Sequence, residues 1–106
     1  MSTQAGLAEP ARNSDQNTEP FTACFSVVSG SDPNALSRIL EPFTKRGLTP
    51  SHVYAMRSGD QGETLHVDLQ LAGADTDTAW RLANDLRGLW LVQTVLTSEK
   101  RTAERI

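Results

Sequence analysis

The sequence predicts an α+β fold in which two helices cover one face of a four-stranded antiparallel sheet. Four segments are rich in alternating, β-branched or aromatic residues, as strands are, and two segments repeat apolar residues three and four positions apart, as helices do. These segments follow one another as strand, helix, strand, strand, helix, strand. This βαββαβ order is that of the ferredoxin-like sandwich.

The first strand is predicted at residues 21–29, FTACFSVVS, where aromatic and β-branched residues precede Gly30. Both faces of this strand are fairly apolar, so we expect it in the middle of the sheet. Cys24, the only cysteine of the chain, lies within it and is expected to be a buried, inert thiol. A single cysteine also excludes an internal disulfide and a cysteine-rich zinc site.

The first helix is predicted within the stretch SDPNALSRILEPFTKRG, residues 31–47. Asp32 is expected as its N-cap and Pro33 as its first residue, and Gly47 suits a left-handed position after its end. Pro42 is expected to kink or tighten the last turn, because it has no N–H to donate to the Arg38 carbonyl. The buried stripe is predicted to consist of Leu36, Ile39, Leu40 and Phe43.

Two strands joined by a hairpin are predicted next. Residues 50–57 begin with Pro50, which is tolerated best at the edge of a sheet, so this second strand is expected to be an edge strand. Residues 58–63 contain two glycines and an aspartate, which favour a hairpin loop. The third strand, residues 64–71, alternates apolar and polar residues most regularly, which predicts one face in the core and the other in water or at an interface.

A second helix and a fourth strand complete the prediction. The helix is capped by Asp75 or Thr76 and ends at Gly88, and residues 89–97 form the strand. Residues 98–106 are charged and are expected to be a solvated end or a short helix. The buried stripe of the helix is predicted to consist of Ala79, Leu82, Ala83 and Leu86.

The ends of the chain are polar, so we expect a disordered leader at residues 1–20, a folded domain at residues 21–98 and a polar tail at residues 99–106. The leader lacks the features of a signal or transit peptide, and no apolar stretch is long enough to cross a bilayer. We therefore expect a soluble, cytoplasmic protein that has no membrane partner.

Several function classes are disfavoured by the composition. Lys and Arg total 10 against 13 Asp and Glu, a net charge of -3, which argues against a nucleic-acid partner. An RNA-recognition module of this topology would need aromatic residues on the third strand, whose open face carries His66, Asp68 and Gln70 instead. A metal-transfer domain would need paired cysteines in the loop SGSDPN, which has none. His52 and His66 are expected to be polar surface, and we predict no metal site and no cofactor.

One pair of residues could take part in acid–base catalysis. His66 and Asp68 are two positions apart and should therefore share the open face of the third strand. No third residue is positioned to orient them, and an open sheet face does not exclude water. We therefore expect no catalytic residues, and an enzyme centred on this pair is the least favoured alternative.

The loop before the first helix is a candidate ligand site. A glycine-containing loop that leads into a helix presents backbone N–H groups and the positive end of the helix dipole, which suit a carboxylate. Two such loops at a dimer edge would form a site for an amino acid. The alternative is that Ser31 and Asp32 only begin the helix, since every helix needs a cap.

The residues of the first helix resemble a known family. Ala35, Leu36, Ser37 and Arg38, with Phe43, Arg46 and Gly47 at matching spacing, resemble the ACT domain, most closely the pattern G-A-L-S-R-V, then F, then R-G of the acetolactate synthase regulatory (small) subunit. The resemblance extends over residues 21–98. This sequence departs from the pattern at Asn34, where the family has a glycine, and at Thr49, where an asparagine is typical.

The resemblance implies a non-catalytic, ACT-like regulatory module of amino-acid metabolism that forms a homodimer or heteromer through its sheet edges. An effector, usually an amino acid, would bind between the first loop of one protomer and the second strand of the next, and the small subunits of that family bind branched-chain amino acids and regulate a separate thiamine-diphosphate enzyme. The contacts would come from Gly30, Ser31, Asp32, Asn34 and Thr49.

Asn34 leads to a second interpretation. Its side chain fills space that a glycine leaves open to a ligand. The chain would then be a ligand-free association module, which docks on a larger enzyme such as an acetolactate synthase catalytic subunit or only on itself.

Overall fold

The computed structural model of the protein describes residues 19–101, so the predicted leader up to residue 18 and the last five residues of the predicted tail lie outside the described residues. The predicted order of elements is confirmed. The structure consists of β1 (Phe21–Gly30), α1 (Ala35–Lys45), β2 (His52–Ser58), β3 (Thr64–Ala74), α2 (Thr76–Arg87) and β4 (Val92–Lys100).

The four strands form one antiparallel sheet in the order β2-β3-β1-β4. This order confirms that β1 lies in the middle of the sheet and β2 at an edge. The side chains of β1 are alternately buried and more exposed, as expected for a sheet that has helices on one face only. The ferredoxin-like sandwich predicted from the sequence is therefore the observed fold.

The core lies between the sheet and the two helices. Phe25 of β1 and Phe43 of α1 meet edge to face at its centre, with ring centroids 5.9 Å apart and an interplanar angle of 86°. Such aromatic pairs stabilise a core beyond the area that they bury. The other large, fully buried apolar side chains are Val27, Ile39, Val67, Leu69, Leu82 and Leu86. Of the predicted helical stripes, Leu36, Leu40 and Ala79 are only half-buried against this core.

The start of α1 differs from the prediction. The helix begins at Ala35, the N-cap position is occupied by Asn34, and Asn34 makes no side-chain capping bond. The regular helix therefore begins two residues later than predicted, and Pro33 lies in the turn before it. The predicted bond to Asp32 is nevertheless made, because its carboxylate accepts a hydrogen bond from the Asn34 N–H at 2.8 Å and its carbonyl accepts one from the Ala35 N–H at 2.9 Å. Asp32 thus caps this first turn, and the regular helix starts beyond it.

The end of α1 is as predicted. The N–H of Gly47 donates to Thr44 O at 3.0 Å and the N–H of Leu48 donates to Phe43 O at 2.9 Å, the paired bonds that close a helix before a left-handed residue. Gly47 is that residue, with a φ of 69°. Arg46 also ties this end to α2, because its Nη2 donates to Oδ2 of Asp85 at 2.7 Å. The helix continues through Pro42, which is buried.

Gly47 and Gly88 provide a matched test of this helix end. Replacing Gly47 by alanine should lower the free energy of unfolding by about 1 kcal/mol, because an L-residue is strained in the left-handed region. Gly88, after α2, has a φ of -80°, and an added Cβ would be 3.5 Å from the Asp85 oxygen, an ordinary contact. Gly88→Ala should therefore leave the stability unchanged or raise it slightly. Urea unfolding measures both, and equal losses would contradict the left-handed helix end.

The expectations for residues 89–91 and 98–100 are wrong. Of the two candidate caps of α2, Asp75 is used, since its Oδ1 accepts the Thr78 N–H at 2.8 Å. Residues 89–91 form a turn rather than the start of a strand, because the Leu89 N–H donates to Leu86 O and the Val92 N–H to Leu89 O. Residues 98–100, expected in a solvated end or short helix, belong to β4 and pair with residues 22–24 of β1. Neither helix within residues 19–101 is long and apolar enough to span a membrane.

Candidate functional site

The loop between β1 and α1 already uses most of its own backbone donors. Gly30 N–H donates to the Leu91 carbonyl at 3.1 Å, and Ser31 N–H donates to the Glu63 carbonyl at 3.0 Å. Asn34 N–H is bound by the Asp32 carboxylate, and Pro33 has no N–H. The N–H groups of Gly30 and Ser31 are therefore bound to other segments of the chain, which connect this loop to the turn before β4 and to the hairpin, whereas the Asp32 N–H has no partner within residues 19–101.

Two backbone donors remain at the start of α1. The N–H groups of Leu36 and Ser37 have no hydrogen-bond partner within residues 19–101, as is usual in the first turn of a helix. They lie at the positive end of the helix dipole, which favours an anion. A carboxylate at this loop would thus be held by Leu36 and Ser37, two residues later than the sequence predicts.

Thr49 lies apart from the other predicted contacts. It is exposed in the connection between α1 and β2. The 11 residues of α1 separate it from Gly30, Ser31, Asp32 and Asn34, and a helix of this length measures about 16 Å. The structure therefore brings four of the five predicted contacts together in one loop and leaves Thr49 at the opposite end of the domain.

The hairpin next to this loop is held by Glu63. The backbone N–H groups of Glu63 and Gln61 hold the pKa of the Glu63 carboxyl below its usual range. The Gln61 bond measures 3.0 Å to Oε1. The backbone carbonyl of the same residue accepts the Ser31 N–H, so Glu63 connects the hairpin to the first loop.

An exposed tryptophan near the loop was not identified from the sequence. Trp90 is 84% exposed in the turn between α2 and β4. With Arg38 of α1 it lines a narrow apolar notch, and the Arg38 side chain makes no hydrogen bond or ion pair with the rest of the described chain. Gly88 indicates the end of a helix and therefore a turn after it. The apolar pattern of residues 89–97 instead predicts a strand that begins directly after Gly88.

The face of the sheet opposite the helices is uncovered. His66 and Asp68 are both exposed there, as predicted, and no hydrogen bond joins them. Their strand carries no enclosed pocket; a shallow depression of about 340 Å³ is instead lined by Cys24, Ser26, His52, Asp68, Gln70 and Leu96. An acid–base pair requires a fixed orientation and exclusion of water. The structure therefore does not assemble a catalytic pair from these two residues.

Other polar residues of the open face are also separate. His52 pairs with Gln70 and His66 with Met56, so the two histidines are four positions apart along the strands. Within residues 19–101, no three His, Cys, Asp or Glu side chains are grouped as a metal site would need. Cys24, predicted to be buried, is only half-buried, because its side chain points to this open face.

The edge strand β2 is exposed along almost its whole length. Six of its seven residues, His52 to Arg57, are exposed, whichever face of the sheet they point to. Val53 on the helix side is 44% exposed, and Tyr54 and Met56 on the open side are 53% and 50% exposed. The strand contains one charged residue, Arg57, and no proline. Edge strands are usually protected by charges, prolines or bulges, so β2 is an unprotected edge.

Comparisons with known proteins show similarity in structure alone. No protein-family model matches the sequence, and no curated protein sequence matches it. The ACT domain from the GTP pyrophosphokinase of Chlorobium tepidum has 19% identity and a TM-score of 0.63, over 74% of this chain and 99% of that domain. An uncharacterized protein from Thermotoga maritima has 17% identity and a TM-score of 0.61, over 76% of this chain and 98% of that one.

A third solved structure extends the comparison. The C-terminal domain of the MgtC protein from Mycobacterium tuberculosis has 17% identity and a TM-score of 0.55, over 88% of this chain and 99% of that domain. At such identities the similarity concerns the fold only. Residues 19–101 therefore have the ferredoxin-like fold that is found in an ACT domain.

Proposed function

We propose that this protein is a non-catalytic, ACT-like regulatory module of amino-acid metabolism, which binds an amino acid at an interface between two copies paired through β2. The observation that carries the proposal is the exposure of β2 on both faces. A strand edge with unpaired N–H and C=O groups and few charges is suited to pairing with another strand. One protein of the same fold is an ACT domain from a GTP pyrophosphokinase, which supports a role beside a larger enzyme.

The proposed pairing would complete the effector site. Ala55 is the central residue of β2 (His52–Ser58). If two antiparallel copies of β2 meet at Ala55, residue 49 of one copy lies opposite residue 61 of the other, since antiparallel partners have a constant sum of residue numbers. That hairpin is bonded through Glu63 to Ser31. Thr49 of the second copy would thereby approach the first loop, from which it is separated in a single chain.

The polar groups of this loop suit a zwitterion. The free N–H groups of Leu36 and Ser37 would donate hydrogen bonds to the carboxylate of an amino acid at the positive end of α1. Asp32 carries a negative charge in the same loop and uses one oxygen for the Asn34 N–H, so its remaining lone pairs would accept the ammonium group. The Thr49 hydroxyl of the second copy would add one further hydrogen bond.

Calorimetric titration with each of the twenty amino acids tests this function on the full chain, whose oligomeric state is measured by light scattering. We expect a dimer that releases or absorbs heat with at least one amino acid, and Thr49→Ala should weaken that binding about tenfold, the effect of roughly one hydrogen bond. Thr97→Ala is the matched control and should leave the binding unchanged, because Thr97 is exposed on β4, the opposite edge of the sheet. A folded dimer that gives no heat with any amino acid would refute effector binding.

The second candidate is a ligand-free association module. It is favoured by the hydrogen bonds that already occupy the N–H groups of Gly30, Ser31 and Asn34. In this case only Asn34→Gly, which opens the loop, should bind an amino acid in the same titration. The wild-type chain should instead bind a larger enzyme, and a purified acetolactate synthase catalytic subunit is the partner to examine first.

A further inference from the structure

The open face of the sheet carries an ordered pattern of side chains that the proposed function does not use. Leu96 of β4 is 70% exposed on this face, in the same row as the exposed Tyr54 at the other edge. Two exposed apolar residues at opposite edges of an uncovered sheet face make this face a candidate interaction surface, although Asp68 and Ser26 lie between them. Within residues 19–101, neither helix lies on this side, since both cover the opposite face.

The strand register arranges these side chains in rows across the sheet. The central row points into the core and consists of Ala55, Val67, Val27 and Val95. The rows on either side of it point outwards. One consists of Tyr54, Asp68, Ser26 and Leu96, and the other of Met56, His66, Val28 and Thr94.

The β2 and β3 members of these two outward rows are complementary to each other, while the β1 and β4 members each place a small polar residue against an aliphatic one. A two-fold axis that runs across the strands, above the central row, turns one row onto the other. Asp68 would then face His66 of a second copy, and His66 would face Asp68 of that copy. At the edge of the sheet, Tyr54 would face Met56 of the second copy, so that an apolar pair accompanies each polar pair.

We propose that the open face binds the open face of a second copy of this chain in this antiparallel arrangement. Because the axis lies above the central row, the strands of the two copies overlap over about seven residues each, since every strand ends three residues beyond this row on one side. Four strands about 4.8 Å apart and about seven residues long at roughly 3.3 Å per residue give a contact of about 19 by 23 Å. Two such faces bury about 900 Å² together, the size of a weak, reversible interface. An imidazole N–H of His66 can donate to the carboxylate of Asp68, and the two-fold axis makes this contact twice.

The charges distinguish this arrangement from the other face-to-face packing. With the two-fold axis along the strands, Asp68 would face Ser26 and His66 would face Val28 of the second copy. That packing places Tyr54 against Leu96, but it leaves the Asp68 carboxylate with only a serine hydroxyl and the His66 ring against an aliphatic side chain, which is unfavourable for both polar groups. The axis across the strands also intersects the axis of a β2 pairing centred on Ala55, so the two contacts together form a closed assembly of four copies.

Exchange of the two polar residues tests the proposal by analytical ultracentrifugation of the full chain. His66→Asp places two aspartates opposite each other twice and should weaken the contact at least about tenfold. Asp68→His in the same chain restores the His–Asp pairs, so the double variant should return to the wild-type association. Both residues are exposed in the single chain, and circular dichroism confirms that the variants fold. An unchanged association in His66→Asp, or a double variant no better than the single one, would refute the stacking.

Cys24 gives a second readout. It is the only cysteine and is half-buried on the open face, where stacking would cover it. Its rate of alkylation by iodoacetamide should fall as the concentration of wild-type protein is raised, and should not depend on concentration in His66→Asp. A concentration-independent rate for the wild type would contradict the stacking. Ala55→Lys affects β2 pairing alone and should leave Cys24 protected from alkylation. The β2 pairing and the stacking of open faces can therefore be tested independently.

Discussion

Replacement of Phe43 by alanine is expected to lower the free energy of unfolding by about 3–5 kcal/mol, the usual loss for a fully buried phenylalanine. Phe43 is 0% exposed and packs edge to face on Phe25 at the centre of the core. A domain of this size has only about 5–10 kcal/mol of stability in total. The variant should therefore lose most of its cooperative unfolding transition when urea unfolding is followed by circular dichroism.

Trp80→Ala is the control for this prediction. Trp80 is as large and aromatic as any residue of the chain, yet it is 63% exposed on α2. Its removal should change the stability by no more than about 0.5 kcal/mol, as is usual at the surface. If both variants lost the same stability, the core described for the two helices would be wrong.

Ala55→Lys is expected to dissociate the dimer that we propose through β2. Ala55 is exposed, so a lysine there costs the single chain little. In the paired form, the two-fold axis places the lysines of both copies opposite each other, and like charges directly across a strand pair repel. We expect at least a tenfold increase in the dissociation constant, about 1.4 kcal/mol, measured by sedimentation.

Thr97→Lys separates this effect from a general effect of charge. Thr97 is exposed on the helix side of β4, the opposite edge of the same sheet. Thr97→Lys should therefore leave the association through β2 unchanged. Dissociation by Thr97→Lys and not by Ala55→Lys would mean that the copies pair through β4, and the proposed effector site would then be incomplete.

The residues that carry the family resemblance have structural roles in this chain. Phe43 fills the core, Arg46 joins α1 to Asp85 of α2, and Gly47 provides the left-handed helix end. These contacts account for the matching residues without reference to a ligand. The two departures, Asn34 and Thr49, instead lie in the connections at the two ends of α1. The likeness in sequence is therefore informative about the fold, and the function depends on the experiments above.

The sequence by itself determined the order of elements, the central position of β1, the edge position of β2 and most of the core. These features follow from local periodicity and from residues such as Pro50 and Gly47, whose backbone preferences do not depend on distant parts of the chain. It also identified the open face of β3, because alternation along a strand assigns each side chain to a face.

Only the tertiary structure decided which groups are free to act. The N–H groups of Gly30 and Ser31 are bound by the carbonyls of Leu91 and Glu63, which lie far away in the sequence. The exposure of β2 on both faces likewise depends on where the helices pack, and the alignment of Asp68 and His66 with Tyr54 and Met56 depends on strand register. Three properties depend on contacts between distant segments: which N–H groups are already bonded, which side chains are buried, and how the strands are aligned. A local sequence pattern does not specify these contacts.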